Sequence, residues 1–320
     1  MRHILAFLCL IPAAAGAQDL TVMTYDSFVS EWGPGPQLKQ GFEEECDCTL
    51  RFVAPGDAAA VLSRLRLEGT RSTADVVVGL DTNLMAEAEQ SGLFAPHAAT
   101  PALDLPIEWT DPTFLPFDWG WFAIVMNKGT PVPHSFEELA ASDLKIAIQD
   151  PRSSTPGLGL VMWIKAAYGD RAPRIWADLA DNILTVTPGW SEAYGLFTEG
   201  EADAVLSYTT SPAYHAIAEN DPSKVAAIFN EGHYLQVELA AKLATSKNSD
   251  LADRFLAYLL TPAAQTVIAN TNWMYPAHEV PLPDGFGDLP RPEKTLFLAP
   301  SEVADIRDAA VREWQAALSR

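Results

Sequence analysis

The segment Leu20-Thr21-Val22-Met23-Thr24-Tyr25 reads as a short strand, because apolar and β-branched residues dominate it and turn residues follow it. Those turn residues include Trp32-Gly33-Pro34-Gly35-Pro36. The next predicted elements are a helix through Phe42, a strand from Leu50 to Val53, a helix from about Asp57 to Glu68, a strand from Val76 to Gly79 and a helix near Asn83 to Ser91. Strands that alternate with helices in this way predict a parallel sheet flanked by helices, and therefore an α/β fold.

The alternation resumes after a proline-rich passage from Pro101 to Pro116. Trp119 to Met126 is predicted to be an apolar strand that leaves a first lobe, and Tyr234 to Ala241 a strand that returns to it. Between them we predict strands at Lys145 to Gln149 and Ala204 to Ser207, with helices at Thr155 to Tyr168, Ala172 to Ala180, Ser191 to Glu199 and Ser211 to Glu219. Helices near Asp250 to Leu259, Pro262 to Ala269 and Glu302 to Leu318 complete the chain.

The length of the chain, 320 residues, also indicates more than one lobe. A single compact core rarely serves more than about 250 to 300 residues. We therefore predict a first lobe of residues 18–118 with 237–320 and a second lobe of residues 119–236. Ligands in such folds bind at the carboxyl ends of the strands, so the site is expected in the cleft between the lobes.

The N-terminus has the pattern of a secretory signal. Met1-Arg2-His3 precedes an apolar run from Ile4 to Ile11, and Ala15-Gly16-Ala17 offers an A-x-A cleavage site. The alternative is a membrane anchor, but crossing a bilayer takes roughly 20 apolar residues and this run is shorter. We therefore expect residues 1–17 to be removed and the chain to be exported.

The chain is strongly acidic, with 21 Lys and Arg against 42 Asp and Glu, a formal net charge of −21. Such a field repels nucleic acid and anionic membrane surfaces and mildly favours cationic ligands, so no nucleic-acid partner is expected.

Cys46 and Cys48 are spaced C-x-C. A strained disulfide and two free thiols are both open readings, whereas a metal site is disfavoured because no histidine lies nearby in sequence.

Two clusters and one acid are candidates for ligand binding. Ser154, Thr155 and Pro156 start a predicted helix, where free N–H groups and two hydroxyls suit an anion such as phosphate; the alternative is simply a well-capped helix. Asp57 is either a helix cap or an acceptor for an amino group or cation. Large rings beside turn residues suit stacking on a flat heterocycle, although several must belong to the core. These rings are Tyr25, Trp32, Trp190, Tyr208, Tyr214, Trp273 and Tyr275.

Recognisable catalytic motifs are absent from the sequence. His215 and His233 are isolated, no G-x-S-x-G segment occurs, and no H-E-x-x-H or Cys/His metal spacing is present. The helix start at Ser154 lacks the G-x-x-x-x-G-K-[ST] lysine and spacing of a nucleotide-hydrolysing loop. We therefore predict a binding protein that is not an enzyme and that needs neither a metal nor a cofactor.

Several of these segments together resemble one family, the periplasmic thiamine-binding proteins of bacterial ABC importers, which are extracellular solute-binding proteins. The similarity runs from Leu20 nearly to Arg320. It is carried by Thr24-Tyr25-Asp26-Ser27-Phe28, Trp32 to Pro36, Asp150 to Gly159, Gly189 to Gly195, Leu206 to Tyr214, Glu231 to Glu238, Asn272 to Pro276 and Glu313-Trp314-Gln315. Several motifs in register over a whole chain are far more specific than any one of them.

The resemblance implies a two-lobed, type II-like periplasmic binding protein fold. It also implies a monomer in the periplasm that binds thiamine, its monophosphate or its diphosphate and delivers it to an ABC permease with its ATPase subunit. The family's ligand contacts fall on Asp57, Ala58, Ser154, Thr155, Trp190, Tyr208, Thr209, Thr210 and Ser211, and its pocket aromatics on Tyr25, Tyr214 and Trp273. Ala58 stands where the family has glycine, a change that a backbone contact would tolerate.

Three other functions are alternatives. A thiaminase-like transferase would need a cysteine nucleophile, and Cys46 and Cys48 lie away from the aromatic and hydroxyl clusters. A ferric-ion receptor would use tyrosinate ligands, for which Tyr208 and Tyr214 are candidates. A polyamine receptor suits the acidic charge and the aromatics but leaves Ser154 without a role.

Overall fold

The computed structural model describes residues 18–100 and 102–319, so the predicted signal at residues 1–17 lies outside the described part. The strands are β1 (Asp19–Met23), β2 (Thr49–Val53), β3 (Val76–Asp81), β4 (Phe94–Ala95), β5 (Phe114–Asn127), β6 (Ile146–Gln149), β7 (Ile183–Thr187), β8 (Ala204–Tyr208), β9 (Lys224–Ala227), β10 (His233–Leu243), β11 (Tyr275–Pro276) and β12 (Thr295–Leu296).

The helices begin and end close to the predicted positions. They are α1 (Asp26–Val29), α2 (Gly35–Cys46), α3 (Ala58–Glu68), α4 (Met85–Gln90), α5 (Phe136–Ala140), α6 (Thr155–Tyr168), α7 (Ala172–Leu179), α8 (Trp190–Thr198), α9 (Ser211–Ala213), α10 (Ser249–Leu259), α11 (Pro262–Thr271) and α12 (Pro300–Leu318). A π-helical turn, Tyr214–Ala218, continues α9, so the regular helix predicted from Ser211 to Glu219 is wrong. Such turns are common at functional sites.

The main sheet has the strand order β2-β1-β3-β10-β5-β8-β6-β7. β1 lies parallel to β2 and β3, and β6 lies parallel to β7 and β8. The long strands β10 and β5 join these two parallel sets and run antiparallel to each other. The α/β class and the two-lobed architecture are therefore confirmed, and the antiparallel centre is what the sequence pattern alone did not show.

β5 connects the two halves of the sheet. Its first part, from Phe114 to Trp121, pairs with β10, and from Phe122 onward it pairs with β8. The strand begins at Phe114 rather than at the predicted Trp119, because Pro116 is accommodated where the register with β10 shifts. A proline lacks the N–H that a regular ladder needs, and a bulge removes that requirement.

The C-terminal helix contacts both predicted lobes. α12 packs against α6 and α7 of the second predicted lobe and against α4 of the first. The lobe ranges 18–118 with 237–320 and 119–236 stay a prediction.

Cys46 and Cys48 form a disulfide at the end of α2, so of the two readings left open by the sequence, the disulfide is the one found in the structure. Residues 18–100 and 102–319 contain no helix long and apolar enough to cross a membrane.

Gly159 provides a test of how tightly α6 packs on the sheet. A Cβ at this position would clash with the buried ring of Phe122. Overpacking of a core lowers the free energy of unfolding by about 1–3 kcal/mol. Replacing a glycine within a helix by alanine raises the free energy of unfolding by about 1 kcal/mol, because alanine favours the helix. We therefore expect Gly159→Ala to lower the free energy of unfolding of the ligand-free protein, measured by urea denaturation.

Gly195→Ala in α8 is the matched control, since no atom of the described residues lies within 4 Å of the added Cβ, apart from the chain neighbours and the nearby backbone of α8 itself. It should leave the free energy of unfolding unchanged or raise it by up to about 1 kcal/mol. Equal stability of the two variants would contradict the packing described here.

Candidate functional site

A cavity of about 340 Å³ lies where the carboxyl ends of the two parallel sets meet. Tyr25 and Asp57 follow β1 and β2 on one side, and Trp190 and Tyr208 come from the ends of β7 and β8 on the other. This is the position expected for a ligand site in an open α/β sheet. Among the described residues that line the cavity, none is Lys, Arg or His.

The structure brings most of the predicted site residues to this cavity. Its wall contains Tyr25, Asp57, Thr155, Trp190, Tyr208, Ser211, Tyr214 and Trp273. Ala58, Ser154, Thr209 and Thr210 are not on the wall and are buried next to residues that are. Thr209, for example, uses its backbone N–H to bind the carbonyl of Trp121, which holds it in the sheet behind Tyr208.

Asp57 connects the two sides of the cavity. Its Oδ1 accepts a hydrogen bond from the N–H of Ala58 at 2.5 Å and so caps α3, while its Oδ2 accepts one from the N–H of Trp190 at 2.9 Å. A second bond across the cleft joins the N–H of Ala60 to the carbonyl of Ser153 at 3.0 Å. The structure is therefore a closed conformation in which the starts of α3, α6 and α8 touch.

Burial of Asp57 changes its acidity. Desolvation raises the pKa of this carboxyl from its ordinary 3.8 to about 6, although the N–H groups of Ala58 and Trp190 favour the charged form. A buried acid without a basic partner and with a shifted pKa is a common mark of a functional site.

The hydroxyl at the start of α6 does not cap the helix. Ser154 is the N-cap residue, but its side chain makes no capping bond. Its Oγ has no hydrogen-bond partner of ordinary geometry among the described residues, yet it lies near enough to the Asp57 carboxylate to lower the pKa of that group. Thr155 and Pro156 follow it on the cavity wall. The Ser154 hydroxyl therefore does not cap α6, and the role of this segment in ligand binding stays a prediction.

Aromatic rings form much of the wall. Trp190 stacks on Tyr194 with ring centroids 4.6 Å apart, and Trp32 lies 6.0 Å from Trp190. On the opposite side, Trp273 meets Tyr214 edge to face at 5.7 Å. Trp273 has a φ of 54°, a left-handed conformation that is costly for a residue with a Cβ and that clusters at binding sites.

Hydrogen bonds hold two of the tyrosines in place. His215 lies 2.9 Å from the hydroxyl of Tyr194 through Nε2 and 2.6 Å from Glu219 through Nδ1. Tyr214 donates to the other oxygen of Glu219 at 2.9 Å. The π-helical turn that carries Tyr214 and His215 is thereby tied to α8, and the isolated histidine of the sequence becomes a support for the aromatic wall.

The floor of the cavity contains acids that the sequence analysis missed. Glu238 in β10 lines the cavity and accepts a hydrogen bond from the hydroxyl of Tyr25 at 2.9 Å. The ring of Tyr25 packs directly on Gly79, which has a φ of 104°. A Cβ on Gly79 would clash with that ring. Asn272 donates to Asp118 at 2.7 Å. A signal was available, because Gln236 and Glu238 interrupt the otherwise apolar run from Leu235 to Ala241.

The comparisons with known proteins agree with this architecture. Residues 36–271 match the family model described as bacterial extracellular solute-binding protein. The chain is 52% identical to a thiamine-binding periplasmic protein of Escherichia coli, over 99% of this chain and 98% of that protein. It is also 52% identical to a protein of that name from Brucella melitensis, over 98% and 96%.

A solved structure titled periplasmic thiamin binding protein superposes on the chain with a TM-score of 0.93 at 51% identity. The match covers 96% of this chain and 98% of that one. By family model, by sequence and by fold, the chain belongs to the bacterial extracellular solute-binding proteins.

Proposed function

We propose that this protein is a periplasmic receptor that captures thiamine, thiamine monophosphate or thiamine diphosphate and delivers it to an ABC permease with its ATPase subunit. The observation that carries the proposal is the cavity itself, which combines stacking rings, buried carboxylates and no basic residue among its described lining. Relatives at 52% identity over nearly their whole length are named for thiamine binding. The family consists of receptors rather than enzymes.

The chemistry of the ligand matches the parts of the site. Thiamine has an aminopyrimidine, a thiazolium cation and a hydroxyethyl arm that can carry phosphate. We assign Asp57, with the backbone of Ala58, to the polar edge of the pyrimidine. Trp190, Tyr25, Tyr208, Tyr214 and Trp273 are assigned to the two rings.

The arm is assigned to the start of α6. Ser154 and Thr155 supply hydroxyls there, next to the free N–H groups of the first helical turn, and a helix start favours phosphate. Thr209, Thr210 and Ser211 are assigned to the same part of the ligand. The hydroxyls of Thr209 and Thr210, which have no hydrogen-bond partner among the described residues, support this assignment, because buried polar groups normally have partners.

Delivery to a permease requires that the receptor signal its loaded state. The hydrogen bonds of Asp57 with Trp190 and of Ala60 with Ser153 join the two sides only when the cleft is closed. We propose that the closed form is what the permease recognises and that the protein acts as a monomer in the periplasm, without a cofactor.

Two alternatives have less support. A transferase of the thiaminase kind needs a free thiolate, whereas Cys46 and Cys48 are joined in a disulfide and are not among the residues that line the cavity. An iron receptor needs tyrosinate ligands, whereas the hydroxyl of Tyr214 keeps its proton and donates it to Glu219 at 2.9 Å.

Calorimetry with ligand-stripped protein tests the proposal and the role of Asp57. Wild type should bind thiamine, and Asp57→Asn should weaken binding roughly 10- to 100-fold. This range follows because a hydrogen bond to a charged group contributes about 1.5–3 kcal/mol and about 1.4 kcal/mol corresponds to tenfold in affinity.

Asp111→Asn is the matched control for Asp57→Asn. The Asp111 carboxylate also accepts two backbone N–H groups, from Thr113 and Phe114, but it does not line the cavity. Its affinity for thiamine should equal that of wild type. If the wild-type protein gives no heat of binding with thiamine, the proposed function is refuted.

Trp190 tests the stacking wall. A cation or flat ring over an aromatic face gains about 0.5–2 kcal/mol, so Trp190→Ala should weaken thiamine binding roughly 2- to 30-fold. Trp190→Phe keeps a ring face and loses only the Nε1 bond to Ser207, and it should recover most of the affinity. Equal losses in the two variants, measured by quenching of the remaining tryptophan fluorescence, would speak against stacking.

A further inference from the structure

Three buried carboxylates lie side by side on neighbouring strands beneath the cavity. Glu238 of β10 stands opposite Asp81 of β3 on one side and opposite Asp118 of β5 on the other. Residues directly opposite across a ladder share one face of the sheet and have Cβ atoms about 4.5–5.5 Å apart. We name Asp81, Glu238 and Asp118 the carboxylate row.

Among the described residues the row is held by neutral donors alone. Tyr25 donates to Glu238 and Asn272 to Asp118, whereas Asp81 accepts from the side chain and the backbone N–H of Asn83 and from the N–H of Leu84. The negative charges of Asp118, Asp81 and Asp57 all raise the pKa of Glu238. These three acids and Glu238 itself also raise the pKa of the nearby Tyr208 phenol. Like charges directly opposite in a sheet are destabilising, so full ionisation of the row costs stability when no cation is present.

Unpartnered polar atoms next to the row are available to bind a ligand. Oδ1 of Asp118, which is fully buried, has no hydrogen-bond partner among the described residues. Gln236, two residues before Glu238 on the same face of β10, is fully buried and lacks a described partner for either side-chain atom. Gln236 stands opposite Gly120 in β5. A Cβ on Gly120 would contact Met274, which lines the cavity, so Gln236 lies beside the cavity wall.

We infer that the carboxylate row is the subsite for the cationic ring of the ligand, and that it selects for positive charge. The inference rests on the proposed function and extends it, because it separates the role of the row from that of Asp57. Glu238 is the member of the row that lines the cavity, so it is the one assigned to contact the cation, with Asp81 and Asp118 beside it in the sheet.

The direction of the proton movement follows from burial and from the like charges. Desolvation raises the pKa of Asp81 to about 7, and it raises the pKa values of Asp118 and Glu238 above their ordinary range as well. The empty row therefore keeps protons near neutral pH. A cation beside it lowers these pKa values, so protons leave to the solvent and affinity for the cation rises as the pH rises from about 6 to 8.

The test compares thiamine with an isostere in which a neutral thiophene ring replaces the thiazolium. Titration calorimetry in two buffers of different ionisation enthalpy gives both the affinity and the number of protons released. Wild type should release protons on binding thiamine and none on binding the neutral isostere. Glu238→Gln should weaken thiamine binding by at least about tenfold and change the affinity for the isostere by less than about twofold.

Two further variants separate charge from structure. Asp118→Asn removes a like charge, so this variant should release fewer protons than wild type when it binds thiamine. Without ligand at pH 8, the variant should unfold at a higher temperature than wild type. Asp75→Asn removes a buried carboxylate that accepts from Thr21 and Ser246 away from the cavity, and it should change neither affinity.

The outcomes are distinct. If wild type binds thiamine but Glu238→Gln weakens both ligands equally, or if wild type releases no protons with thiamine, the row is structural and the inference is overturned. If wild type binds no thiamine at all, the proposed function fails and the inference fails with it.

Discussion

The antiparallel pairing of β5 with β10 is the constraint on which the rest of the structure depends. β5 leaves β10 at Trp121 and pairs with β8 from Phe122 onward, so one continuous strand belongs to both halves of the sheet. The backbone groups of the pair are satisfied within the sheet, which makes the connection stiff. The carboxyl ends of the two parallel sets are thereby held close together, and the cavity lies where they meet.

Closure over that cavity uses helix starts rather than ion pairs. Asp57 caps α3 with one oxygen and accepts the first N–H of α8 with the other. The positive ends of two helix dipoles thus meet at one carboxylate, which offsets part of the cost of burying it. A contact of this kind is short and directional, so it forms only when the two sides approach closely, and it makes closure responsive to what fills the cavity.

Local sequence patterns predicted those parts of the molecule that local chemistry determines. The parallel strands and most helices were predicted because β-branched runs, caps and turns specify them, and Asp57 and Trp190 were identified at strand and helix ends. The start of β5 was missed because Pro116 argues locally against a strand, while pairing with β10 overrides it. Glu238 was missed for a related reason: only the register of three strands places it between Asp81 and Asp118.

The carboxylate row raises the question of why no basic residue in the described part of the chain neutralises it. A lysine in the cavity would pair with Glu238 and relieve the repulsion, which would stabilise the empty protein. It would also occupy the place of a cationic ligand and remove the reason for that ligand to bind. Proteins commonly retain such local instability where function needs it. In the arrangement we infer, the ligand supplies the missing charge, so that capture of the cation and closure of the cleft stabilise each other.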